Sequence, residues 1–142
     1  MRSATVLASG LLTVANAYTQ PQANPTWGAI TLPELTHPLT RGEDFKITWD
    51  PDFGGTVRPV DGLTVSLVLC RGNSNTCALD PGAIVEGVPA GQKEYTWHVP
   101  CDLPAGEQLT ATGYGMLIIV DGSGEFQYST QFSVLVGSTC PA

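Results

Sequence analysis

The spacing of glycine and proline decides most of what this chain can become. Its 16 glycines and 11 prolines run from end to end and cut the sequence into short apolar stretches. These are GAITL (28–32), FKITW (45–49), LTVSLVLC (63–70), AIVEGV (83–88), YTWHV (95–99), LTATGYGMLIIV (109–120) and FQYSTQFSVLV (126–136). Between them lie DPDFGG, VDG, LDPG, VPAGQ, DLPAG and DGSG, the residue types that build tight turns. No stretch sustains the apolar period of a helix.

About seven short strands at this spacing predict an all-β, antiparallel sandwich of immunoglobulin or fibronectin type. Side chains alternate across a strand, so the apolar phase assigns faces. Phe45, Ile47 and Trp49 share one side; so do Leu63, Val65, Leu67 and Leu69, and so do Tyr95, Trp97 and Val99. Those three sets are expected to form the inner layer between two sheets, with Thr96 and His98 turned away. The run MLIIV (116–120) suits a buried strand, and Gly113 and Gly115 are expected to mark a bulge or bend before it.

Residues 1–17 are expected to leave the fold. Arg2, a short apolar core and the Ala15-Asn16-Ala17 site have the form of a secretory signal peptide, with a single mature domain at 18–142. No later apolar run is long enough to span a bilayer, and no membrane anchor signal is visible, so a released, extracellular or wall-associated monomer is expected. Loss of Arg2 takes the formal charge one unit below the −7 of the whole chain. The remaining basic residues are scattered singly, which makes nucleic acid and anionic membrane poor partners, and neither is expected. Cys70, Cys77, Cys101 and Cys140 all follow the leader, and four cysteines in a secreted chain read as two disulfides with three pairings available. The short RGNSNT loop brings Cys77 back towards Cys70. The expected pairs are therefore Cys70–Cys77 and Cys101–Cys140, the second pinning the C-terminus.

Catalysis is not visible. There is no G-x-S-x-G elbow, Walker loop or H-E-x-x-H, and the cysteines are taken by disulfides. His37 and His98 offer too few ligands for copper or zinc. Asp44, Asp50, Asp52 and Asp61 crowd the region around FKITW and raise the question of calcium or of an acid–base pair, although Asp50-Pro51 and Asp61-Gly62 are ordinary turn placements. No cofactor is expected. Trp27, Phe53, Tyr114 and Tyr128 are less constrained by strand phase than Trp49 and Trp97, could each expose a ring face to a sugar, and are the candidate ligand-binding residues.

The order of LTRGEDFKITWDP, VSLVLCRG, IVEGVPAGQKEYTWHVPCDLPAGEQ and FQYSTQFSV, preceded by ANP, resembles the N-terminal domain of the fungal Kre/Knh cell-wall synthesis proteins, a domain also found in Ser/Thr-rich GPI-anchored surface proteins. The likeness runs over about residues 23 to 136. It implies an immunoglobulin-like sandwich in a secreted or wall protein, a link to β-1,6-glucan assembly or wall-polysaccharide binding, and no catalytic residues to carry over. The partner it implies is cell-wall β-glucan or a wall or surface protein. A secreted module that binds a protein partner, in the manner of an effector or adhesin, is the second expectation.

Overall fold

The computed structural model describes residues 18–72, 77–103 and 113–141, and the expected leader and residues 109–112 lie outside them. Ten strands occur among the described residues: β1 (Ala29–Leu32), β2 (Leu39–Thr40), β3 (Asp44–Asp50), β4 (Thr64–Arg71), β5 (Ala78–Leu79), β6 (Val85–Pro89), β7 (Glu94–His98), β8 (Tyr114–Val120), β9 (Phe126–Tyr128) and β10 (Val134–Leu135). The fold is all-β, as expected, with more and shorter strands than seven. The larger sheet runs β9-β8-β4, and β5 and β6 share the far edge of β4. The smaller sheet runs β1-β3-β7, and β2 and β10 form a separate parallel pair.

The inner layer follows the alternation. Ile47 and Trp49 from β3 meet Val65, Leu67 and Leu69 from β4 and Tyr114, Met116, Ile118 and Val120 from β8. Tyr95 and Trp97 are only half-buried, because β7 is the edge strand of the smaller sheet and has one neighbour, β3. Both still pack against the core on the inner side, as the alternation predicts, but neither is closed over completely. Two further expectations change. β8 pairs with β4 in unbroken register from Val65–Val120 to Arg71–Tyr114, so Gly115 makes no bulge there. The stretch 126–136 divides into β9 and β10, with residues 129–133 between them.

The larger sheet is covered on its outer face as well. Val68, Cys70, Leu117, Ile119 and Phe126 pack there with Tyr18, which explains why β4 and β8 read as continuous apolar runs. Ser66 is fully buried on this face and is satisfied: it and Thr64 donate to the two oxygens of Asp121, at 2.7 and 2.5 Å. Residues 18–27 form the cover by running along the β8–β9 hairpin. Gln22 N–H donates to Gly124 C=O, and the N–H groups of Thr26 and Trp27 both donate to Phe126 C=O. Gly124 sits at φ +81°, and a Cβ there would lie 2.6 Å from Gln20 O, so the hairpin tip admits no side chain.

Tyr18 anchors this cover by donating its hydroxyl to Asp80 C=O at 2.6 Å. Burial first, and then the Asp80 carboxylate, raise its pKa above the ordinary 10.0. The folded chain thus holds this proton more tightly than the unfolded chain. The contribution is complete below the unfolded pKa and is lost as pH rises through the raised folded value. Alkaline titration followed by tyrosinate absorbance, read as the difference between wild type and Tyr18→Phe, should show Tyr18 titrating late, and in Asp80→Asn that delay should shrink only in part, since burial is the larger cause. Full normalisation in that variant would show the charge to dominate.

Candidate functional site

The two sheets leave an open seam where β1, the edge strand of the smaller sheet, faces β9, the edge strand of the larger. A groove of about 450 Å³ runs along it, lined by Ile30, Thr31, Glu34, Phe53, Gln127 and Tyr128 among others. Its wall is more apolar than polar, and two of the four nominated aromatics meet in it. Phe53 stands 60% exposed, on a turn directly after β3. Tyr128 is half-buried at the end of β9 and packs edge-on against Phe126, with centroids 5.2 Å apart.

The turn that carries Phe53 is built by its own polar residues. Asp50 Oδ1 accepts from Asp52 N–H at 2.9 Å, and Asp52 Oδ1 accepts from Arg58 N–H at 2.8 Å. The Arg58 guanidinium then donates to the carbonyls of Pro51, Phe53 and Thr56, and across to Thr26. Four backbone carbonyls, three in the Phe53 loop and one at Thr26, thereby gather around one cation, which holds the Phe53 loop against residues 18–27. On the other wall, Gln127 donates from Nε2 to Trp27 C=O at 3.1 Å and accepts Tyr128 N–H at Oε1 at 3.0 Å. Glu34 accepts from His37 Nδ1 at 2.8 Å and from Thr36 Oγ1 at 3.0 Å. The His37 hydrogen bond, followed by that of Thr36, lowers the Glu34 pKa, so the groove presents a carboxylate acceptor at neutral pH.

Trp27 and Tyr114 are core residues, 3% and 2% exposed, and the expectation of a free ring face at either is corrected. Trp27 is drawn inward because its N–H joins that of Thr26 on Phe126 C=O. Tyr114 opens β8 in phase with Met116, Ile118 and Val120, stacks near Phe132 and lies under Arg71 at 5.9 Å. That shared phase was the signal available in the sequence; for Trp27 there was none, since it precedes the first strand.

The aspartates do not converge. Asp44 and Asp50 occupy opposite ends of β3, about 20 Å apart at the usual rise per residue. Asp44 pairs with His98 Nδ1 at 2.8 Å on the surface, while Asp50 and Asp52 brace the Phe53 turn. No group of three or more His, Cys, Asp or Glu able to hold a metal occurs among the described residues. Glu34 is the one carboxylate among the described residues lining the groove, whereas glycoside hydrolysis by the usual mechanism needs two. The disulfides join Cys70 to Cys77 and Cys101 to Cys140, with Cα atoms 5.4 and 5.5 Å apart. Neither bridge borders this groove. Among the described residues, no helix is long and apolar enough to cross a membrane.

A family model for the Kre9/KNH-like N-terminal Ig-like domain matches residues 32–134. No curated protein and no solved structure matches the chain.

Proposed function

The chain belongs to the Kre9/KNH-like N-terminal Ig-like domain family, and from that premise we propose that it is a secreted, non-catalytic module of the fungal cell wall that binds wall β-glucan in the Phe53–Tyr128 groove. The family ties it to wall-associated modules. The observation that carries the finer reading is the groove itself: an exposed and a half-buried aromatic ring beside a carboxylate acceptor and the Thr31 hydroxyl. Sugar rings lay their C–H faces on aromatic rings and give their hydroxyls to such acceptors. Glu34 is the one carboxylate among the described residues lining the groove, which supports the reading that it holds a chain without cutting it.

Calorimetry with soluble β-glucan oligosaccharides, with product analysis on the same samples, tests this reading. Phe53→Ala should weaken binding by about 0.5–1.5 kcal/mol, roughly two- to twelvefold, and leave the melting temperature unchanged because the ring is exposed. Binding should be nearly flat in salt, unlike that of a protein tracking phosphates. Released reducing ends would overturn the non-catalytic assignment. A second reading, a protein partner, draws on the exposed apolar side chains Leu35, Phe53 and Val57. Failure to bind any wall polymer would favour it.

A further inference from the structure

The opposite seam of the sandwich also opens. There β7, the other edge of the smaller sheet, faces the edge of the larger sheet formed by β5 and β6. A separate groove of about 340 Å³ lies between them, lined by Arg71, Asp80, Gly82, Trp97, Pro100 and Asp102 together with apolar floor residues. We propose that this is a second sugar-binding groove, built on Trp97, so that one module holds two segments of polysaccharide at once. The choice of a sugar rests on the reading of the first groove; the existence of the second stands on its own geometry.

Trp97 differs from the other two tryptophans. Trp27 and Trp49 are each 3% exposed, whereas Trp97 packs against the core with part of its surface in the groove. Edge position leaves it so: β7 pairs with β3 on one side only. Beside it, Arg71 and Asp80 form a two-point pair, Nε to Oδ1 at 2.7 Å and Nη2 to Oδ2 at 3.2 Å, which holds both side chains in fixed orientations. Asp80 is further held where its carbonyl receives the Tyr18 hydroxyl. Asp102 is exposed on the rim and places a second carboxylate in the lining. A large ring, a proline and preset polar groups at one concave place are what a sugar ring requires: a flat apolar face and acceptors for its hydroxyls. This groove is the more polar of the two and has no residue in common with the first.

Strand order puts the two grooves on opposite flanks, since β1 and β7 are the two edges of one sheet. A polymer chain in each would be bridged by the module. On a dense wall polymer the second contact becomes effectively intramolecular and raises retention well above that for a short oligosaccharide.

Acrylamide quenching of tryptophan fluorescence in the wild-type protein, with and without a soluble β-glucan oligosaccharide, reads this groove directly. Trp97 dominates the quenchable signal because the other tryptophans are buried, and saturating sugar should lower the quenching constant by about twofold or more. Gly82 gives a variant that spares the fold, since a Cβ there meets nothing within 4 Å. Gly82→Tyr should fill the groove, abolish the protection and halve the calorimetric stoichiometry from two to one. Phe53→Ala should keep the protection. Binding that Phe53→Ala weakens while quenching stays unchanged would overturn the second groove and leave the first standing. Protection of Trp97 with no effect of Phe53→Ala would support the second groove and overturn the first. No binding to any glucan probe would overturn both.

Discussion

Trp49→Ala should cost about 3–5 kcal/mol, a large part of the stability of a domain this size. Trp49 lies on β3, the central strand of the smaller sheet, and its ring is enclosed by both sheets. Truncation removes the apolar contacts and leaves a cavity that two strand layers cannot readily collapse. It also removes a buried hydrogen bond, Nε1 to Ala90 C=O at 2.8 Å. Ala90 is fully buried in the short 3-10 turn Ala90–Gln92, so its carbonyl would lose that partner inside the protein. Trp49→Phe separates the two losses, because it keeps most of the packing and deletes the donor. Trp97→Ala supplies the contrast: with the ring half-exposed, about 1–2.5 kcal/mol is expected. Urea unfolding of the three variants measures this. Equal costs for Trp49→Ala and Trp97→Ala would show that the two rings are equally enclosed.

That difference between two tryptophans in matching sequence contexts shows where the sequence stops being informative. FKITW and YTWHV both alternate, and both place tryptophan on the apolar side. Phase determines which way a side chain points, but not whether a neighbouring strand closes over it. That depends on strand order, which is set by pairings distant in sequence. β3 acquires partners on both sides and β7 on one. The inner layer was therefore legible residue by residue along β3 and β4. The outer cover was not, because Tyr18 and residues 18–27 have no period to read; they are held by N–H groups meeting carbonyls of the β8–β9 hairpin.

The candidate groove shows the same division. Phe53 was legible as an aromatic outside any strand, because the turn chemistry of DPDFGG located it on a loop, and Tyr128 as a ring less constrained than the tryptophans of FKITW and YTWHV. Arg58 was not legible. Its role comes from four carbonyls, and a guanidinium that binds backbone leaves no mark in the residue types around it. Gln127 and Glu34 were missed for a related reason: each is an ordinary polar residue until the seam between β1 and β9 brings it beside a ring. The cysteine pairing was more accessible, since a short loop and a terminal segment restrict which thiols can meet.

Removing the Cys101–Cys140 bridge, by alanine at both positions, should cost about 4 kcal/mol, against about 2.5 kcal/mol for Cys70–Cys77. The chain-entropy argument rests on loop size: the bridged residues are 39 apart in one case and 7 in the other. The longer loop contains β8 and β9, so its closure restricts the unfolded chain more. Local structure adds to the expectation. β10 meets β2 through a parallel pairing of only two residues, with Leu39 N–H donating to Ser133 C=O and Arg41 N–H to Leu135 C=O. Such a short ladder is weak alone, and the bridge holds its far end beside Gly42. Gly42 is at φ +80°, and a Cβ there would lie 2.7 Å from Cys140 Sγ and 3.3 Å from Cys101 Sγ. The backbone has thus come as close to the disulfide as a residue without a side chain allows. Gly42→Ala should consequently destabilise the same corner while both bridges remain oxidised. Hydrogen exchange at the Leu39 and Arg41 amides, read alongside urea midpoints, checks the argument. Both amides should lose most of their protection when Cys101 and Cys140 are replaced, and keep it when Cys70 and Cys77 are. A greater loss of stability on removing the shorter bridge would show that packing against the outer face of the larger sheet, rather than loop closure, sets what each disulfide contributes.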